Sequence, residues 1–215
     1  VLSEIQDDKS RLKTAYKKVI KVTMLVTFCC MLGLAAIAEP MIVTLIGNQW
    51  LPAIPLLQII CFQMMLYPLH AINLNMLQVQ GRSDLFLKLE IIKKIIAVGP
   101  LLMGIFLNIY WMLLGSVITG FISFYLNAFY SGRFFNYSIG EQIKDILPSF
   151  IVAILMALVV FAMSFINLPS IVVLIIQLLT GVVLVVILCE LTKLDAYLEI
   201  KNILMSFVNK MRNGK

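Results

Sequence analysis

The chain has 215 residues, 61% of them apolar and only 13% charged, with mean hydropathy +1.01 and net charge +6. Soluble domains run at roughly 45–50% apolar and about 25% charged, so this composition excludes an ordinary soluble globule, a disordered segment and a disulfide scaffold. What remains is a polytopic membrane protein, an all-α bundle with six membrane-spanning helices, in which basic residues serve orientation rather than nucleic-acid binding.

In chain order, residues 1–21 form a basic lead-in carrying Lys9, Arg11, Lys13, Lys17, Lys18 and Lys21. A four-helix part over 22–130 follows, with apolar runs at Val22–Ile46, Ala53–Val79, Leu85–Leu107 and Trp111–Tyr130. A connecting loop over 131–145 holds Arg133 and Lys144. A terminal helical hairpin over 146–191 contains runs at Ile146–Ile166 and Ser170–Leu191, and 192–215 is an amphipathic tail. Each run exceeds the ~17 residues needed to cross hydrocarbon as a helix.

Every one of the 17 Lys and Arg lies in the lead-in, around the Arg82 turn and into the third run, in the 131–145 loop or in the tail. The connections near Gly47–Leu51, Asn108–Tyr110 and Asn167–Pro169 hold no charge. Charged and uncharged connections therefore alternate, and the positive-inside rule puts both termini in the cytoplasm. Trp50 and the Tyr110–Trp111 pair stand at uncharged connections, where an aromatic belt belongs. Ser138-Ile-Gly-Glu141 has the spacing of a capping box that starts a short helix leading through Leu147-Pro148 into the fifth run. In the tail, apolar residues recur at helical spacing beside Lys and Arg, as in a helix lying on a membrane surface. Cys29, Cys30, Cys61 and Cys189 sit in apolar runs without metal-ligand spacing and read as small buried hydrophobes.

Few residues can carry chemistry. The lone His70 has no nucleophile or carboxylate at a suggestive spacing, and no phosphate loop or paired metal ligands occur, so neither an enzyme nor a metal or other cofactor is expected. The second run is nonetheless polar. Gln63 and His70 fall within ~20° of each other on a straight helix, with Asn73 and Gln78 to either side, and such groups face a bundle interior or a wet cavity. They are cavity-lining candidates; interhelical hydrogen bonding is the plainer role. Glu39, before the helix-disrupting Pro40, is a candidate for ion coupling or merely an interfacial carboxylate. Arg82, Lys93 and Lys94 are candidates for head-group contact, against simple snorkelling. Gly115, Thr119 and Ser123 make a small-residue face suited to close helix packing, and Gly99-Pro100 is expected to bend the third run.

The runs "VLSEIQDDKSRLKTAYKKVIKVT", "AEPMIVTLIGNQWLPAIPLLQI" and "LNMLQVQGRSDLFLKLEIIKK", with Pro40, Gly47, Trp50, Pro55, the Gly81-Arg82-Ser83-Asp84 turn, Lys88 and "YSIGEQIKDILPS", resemble the polysaccharide (O-antigen, capsule or lipopolysaccharide) flippases of the multidrug/oligosaccharidyl-lipid/polysaccharide exporter superfamily. The last two runs match only in length and character. The resemblance implies the C-terminal part of a longer fourteen-helix protein, with the end of a preceding helix at Val1–Leu2; the start at Val rather than Met agrees with a piece. It implies a bacterial cytoplasmic (inner) membrane location, membrane lipid as surroundings, a missing N-terminal helix bundle as partner, and a polyprenyl-pyrophosphate-linked oligosaccharide as substrate. That substrate would be flipped by alternating access of two bundles. The alternatives are a multidrug or cation antiporter of the same superfamily, and a noncatalytic membrane subunit that packs against partner helices through Gly115, Thr119 and Ser123.

Overall fold

The computed structural model describes residues 9–213, and the helix end expected at Val1–Leu2 and the basic Lys215 lie outside them. Among the described residues there is no strand; the chain is a string of helices. The first, α1 (Lys9–Ala36), begins far ahead of the apolar run expected from Val22. Leu12, Tyr16, Ile20, Met24, Phe28 and Leu32 recur at every fourth position and are all buried. That ridge packs against α7 (Ile139–Ala162) in the most extensive helix pair of the bundle. The stripe, not mean hydropathy, sets where α1 starts, because Lys17 and Lys21, one position along from its apolar members, reach the carboxylates of Glu141 and Asp145.

Pro40 acts as expected of it. Its missing N–H and its ring cannot follow a helical residue 36, and the chain breaks at Ile37 before resuming as α2 (Ala38–Leu45). Gly47 at φ 94 then turns the chain into a 3-10 segment, Asn48–Ala53, that leaves Trp50 exposed. The second run is also divided, into α3 (Ile54–Met64) and α4 (Tyr67–Val79), with Pro68 in the first turn of α4. A phase computed along one straight helix therefore does not carry across Met65 and Leu66.

Gly81 at φ 68 makes the turn into α5 (Ser83–Phe106), which runs unbroken through Pro100. By length and composition five helical stretches suffice to cross a membrane, among them Arg11–Ala36, Asn48–Val79 and Ile109–Phe134. The expected third span is not among the five. Its α5 helix has 24 residues, but Asp84, Lys88, Glu90, Lys93 and Lys94 crowd its first half. Asn108 starts α6 (Ile109–Phe135) by accepting hydrogen bonds from the Tyr110 and Trp111 amides at 3.0 and 3.3 Å. The α5–α6 hairpin is tight because a Cβ built on Gly115 would meet Met103 Sδ at 3.0 Å, and one on Gly104 would meet Met112 Sδ at 2.9 Å.

The capping box forms: Ser138 Oγ accepts from the Glu141 amide at 3.2 Å and Glu141 Oε2 accepts from the Ser138 amide at 3.0 Å. It opens all of α7 rather than a separate short helix, and α6 and α7 are linked only by Asn136–Ser138 where a longer loop was expected. After the 3-10 turn Met163–Phe165 comes α8 (Ser170–Thr192), and Lys193 at φ 48 turns the chain into α9 (Asp195–Asn213). Of the cysteines, Cys61 and Cys189 are buried, Cys29 is half-buried and Cys30 is exposed.

Candidate functional site

The polar residues of α4 divide between two environments. Asn73 is fully buried where α1, α4, α6 and α7 meet. Its Oδ1 accepts from Tyr16 O–H and from Ser131 O–H, each at 2.5 Å, and its Nδ2 donates to Leu69 O at 2.9 Å and Gln142 Oε1 at 3.1 Å. Both donors and both lone pairs of the amide are used, a fully satisfied knot. Tyr16, Ser131 and Gln142 are also buried, and Gln142 Nε2 donates to Tyr137 O at 3.4 Å. Sequence reading missed these three; the available signals were the i, i+4 stripe through Tyr16 and the α6 stripe of Thr119, Ser123, Asn127 and Ser131, which was followed only as far as Ser123.

An ionic belt surrounds that knot. Lys17 lies 3.5 Å from Glu141 and 3.6 Å from Asp145, and Lys21 lies 3.3 Å from Asp145 and 3.0 Å from Asp195. Tyr137 donates to Asp145 at 2.8 Å and stacks edge-on with Tyr16 at 5.5 Å between ring centres. Burial, and then the Asp145 hydrogen bond, push the Tyr137 phenol well above its ordinary value, so it serves as a donor at any physiological pH.

His70 and Gln63 look the other way, into a cleft of about 530 Å³ between the α3–α4 arm and the α5–α6 hairpin. Lys93, Lys94 and Glu90 enter it from α5, and Ser116, Thr119 and Ser123 from α6. Lys93 is hydrogen-bonded to Glu90 and its side chain is only 17% exposed. Lys94 is exposed and has no ion pair among the described residues. The Ser116 and Thr119 hydroxyls donate to carbonyls of their own helix, Met112 O at 2.9 Å and Ser116 O at 3.0 Å. The Nδ1 atom of His70 is buried without a hydrogen-bond partner among the described residues. Two ammonium groups against one carboxylate leave the cleft positive, which suits an anionic group. Of the small-residue face of α6, Gly115 serves the contact with α5, whereas Thr119 and Ser123 line open space.

The remaining candidates lie elsewhere. Gln78 is exposed at the far end of α4, and Glu39 is exposed in the first turn of α2. Arg82 grips Asp84 with two hydrogen bonds of 2.9 and 2.8 Å and lies over the Phe134 ring at 5.4 Å, apart from Lys93 and Lys94. The Arg82 hydrogen bond is the main reason that the Asp84 carboxyl titrates as low as about 2. Among the described residues no three His, Cys, Asp or Glu side chains gather as a metal site.

Comparison with known proteins gives the following. Residues 1–55 match the family model described as polysaccharide biosynthesis protein. An uncharacterized membrane protein in the cps region of Klebsiella pneumoniae is 30% identical over 156 residues, covering 70% of this chain and 31% of that protein. The lipopolysaccharide biosynthesis protein WzxC of Escherichia coli (strain K12) is 24% identical over 102 residues, covering 47% of this chain and 21% of that protein. The chain thus spans about a third or less of the length of these relatives. No solved structure matches it. The chain is a multi-pass membrane protein, similar over the matched segments to membrane proteins of polysaccharide biosynthesis.

Proposed function

We propose that this chain is part of a transporter that flips lipid-linked oligosaccharide, a sugar chain on polyprenyl pyrophosphate, across the bacterial cytoplasmic membrane. It acts as a carrier and not as a catalyst. The cleft between α3–α4 and α5–α6 forms one wall of the path, and a second helix bundle, outside this chain, closes it from the other side in alternating access. Lys93 and Lys94 meet the anionic group, and Gln63, Ser123 and Thr119 meet hydroxyls. The observation that carries the reading is the cleft itself. A charged, half-buried Lys93 beside hydroxyl-bearing helix faces is costly in a purely structural bundle, where apolar side chains would fill the space more cheaply.

Both termini and the Arg82–Asp84 turn face the cytoplasm in this reading. Single cysteines at Asn108 and Asn167, in a background without the native cysteines, then react with an impermeant thiol reagent from outside the cell, and one at Ser83 does not.

The functional test uses the intact transporter. Lys93→Ala is expected to leave the amount of folded protein in the membrane near normal and to lower polysaccharide export at least tenfold, with Lys93→Arg restoring part of it. Unchanged export in Lys93→Ala at normal expression overturns the assignment of the cleft.

A further inference from the structure

Helix α9 is covered over its first two turns and exposed over the next six residues, 201–206. Ala196 is buried, and Tyr197 and Ile200 pack against the cluster of Leu25, Val152 and Cys189. Its acidic residues are consumed there: Asp195 lies 3.0 Å from Lys21, and Glu199 lies 2.7 Å from Lys18. The same helical face continues past the edge of the bundle, where Ile203 and Leu204 are 59% and 60% exposed. The sequence repeats apolar residues at Phe207, Val208 and Met211, in helical phase with Ile200, Ile203 and Leu204, an arc of roughly 140° at 100° per residue. From Ile200 onward the chain holds Lys201, Lys210, Arg212 and Lys215 and no Asp or Glu. The helix begins directly after α8 ends at Thr192, so this bare arc emerges at the level where a membrane-crossing helix leaves hydrocarbon.

We propose that the distal half of α9 is a membrane-surface helix, with its apolar arc among the upper acyl chains and its cations against anionic lipid head groups. The two halves of one helix have opposite charge assignments for a reason. The proximal acids fasten α9 to Lys18 and Lys21 of α1, Lys201 is held by Glu190 of α8 at 2.6 Å, and the cations that follow it in sequence, Lys210, Arg212 and Lys215, are the ones assigned to anionic head groups. An apolar arc bordered by cations gains from interfacial burial what a solvated terminal helix would lose by exposing Ile203 and Leu204 to water. The proposal needs only that α8 crosses a membrane, and it stands or falls separately from the cargo.

The test uses the intact protein, with native cysteines replaced, in vesicles of phosphatidylcholine alone or with phosphatidylglycerol. A nitrobenzoxadiazole probe is attached to a single cysteine at Leu204, on the bare arc, or at Asn202, on the polar side. At Leu204 the emission is expected to shift to the blue and to be quenched by lipid carrying a nitroxide near the head group, at least twofold more than at Asn202. The quenching is expected to rise with phosphatidylglycerol and to fall in high salt. Leu204→Cys and Asn202→Cys alter exposed positions, and an unchanged melting temperature confirms that each variant is folded. Equal quenching at both positions overturns the proposal. So does quenching at Leu204 that ignores phosphatidylglycerol, and so does a blue shift at Leu204 without lipid quenching, which would mean that protein covers the arc.

Discussion

The Asn73 knot and the cleft behind His70 use the same side-chain chemistry to opposite ends, and they are only one helical turn apart on α4. In the knot every donor and acceptor of Asn73 is matched by α1, α6 and α7, and lysines and carboxylates close the rim. In the cleft the polar groups point into open volume, hydroxyls fall back on their own helix, and a histidine nitrogen is left without a partner among the described residues. Polar groups in a membrane are costly wherever they lie. A saturated network offsets that cost and yields a fixed arrangement of helices, whereas an unsaturated lining holds it in reserve for a ligand or water. The polarity of a helix thus says little about role until the partners of each group are known.

The largest expected effect breaks the knot. Asn73→Leu removes the acceptor shared by the Tyr16 and Ser131 hydroxyls and the donor to Gln142 Oε1, at about 1–3 kcal/mol for each buried group left unmatched. Folded protein recovered in detergent, and its melting temperature, are expected to collapse. Survival of both near the parent values would show that the network is dispensable. Glycines sharpen the comparison next. A Cβ on Gly132, beside the knot, would lie 2.5 Å from the Tyr137 carbonyl oxygen, whereas one on Gly120, in the cleft, would meet nothing within 4 Å. Gly132→Ala is therefore expected to lower stability by about 1–3 kcal/mol. Gly120→Ala is expected to be neutral or to stabilise by up to ~1 kcal/mol, since it removes a mid-helix glycine. Thermal denaturation of the two variants side by side reads the sign directly. The smallest effect belongs to the rim: Lys18→Ala removes a half-exposed pair with Glu199 and is expected to cost ~0.2–1 kcal/mol, less at high salt.

The architecture was legible where one residue or one local pattern decides it. Pro40 foretold the break at Ile37, the Ser138 and Glu141 spacing foretold the cap of α7, and the apolar runs foretold helices throughout. Hydropathy alone misplaced the start of α1, because the ridge from Leu12 to Ile20 is diluted by the lysines beside it. The third run is the most charged of the six, with five charges in the first half of α5, and mean hydropathy alone does not select that helix as a crossing. Within the site, Gln63, His70, Lys93 and Lys94 could be singled out one by one, but not that they share a space, since the α3–α4 break and the α5–α6 hairpin bring them together. Asn73 had the same sequence signature as His70. Only its neighbours on three other helices distinguish it: the stripes through Tyr16 and Ser131 can be seen in sequence, but not that they converge with Gln142 on position 73.

The most direct test of this division compares His70→Ala with Asn73→Ala in the intact transporter, measuring folded protein in the membrane and polysaccharide export per folded molecule in the same cells. The account predicts that His70→Ala keeps its folded amount and loses export per molecule, while Asn73→Ala loses folded protein and keeps export per surviving molecule. The reverse pattern, or loss of folded protein in both with export per molecule unchanged, would contradict it.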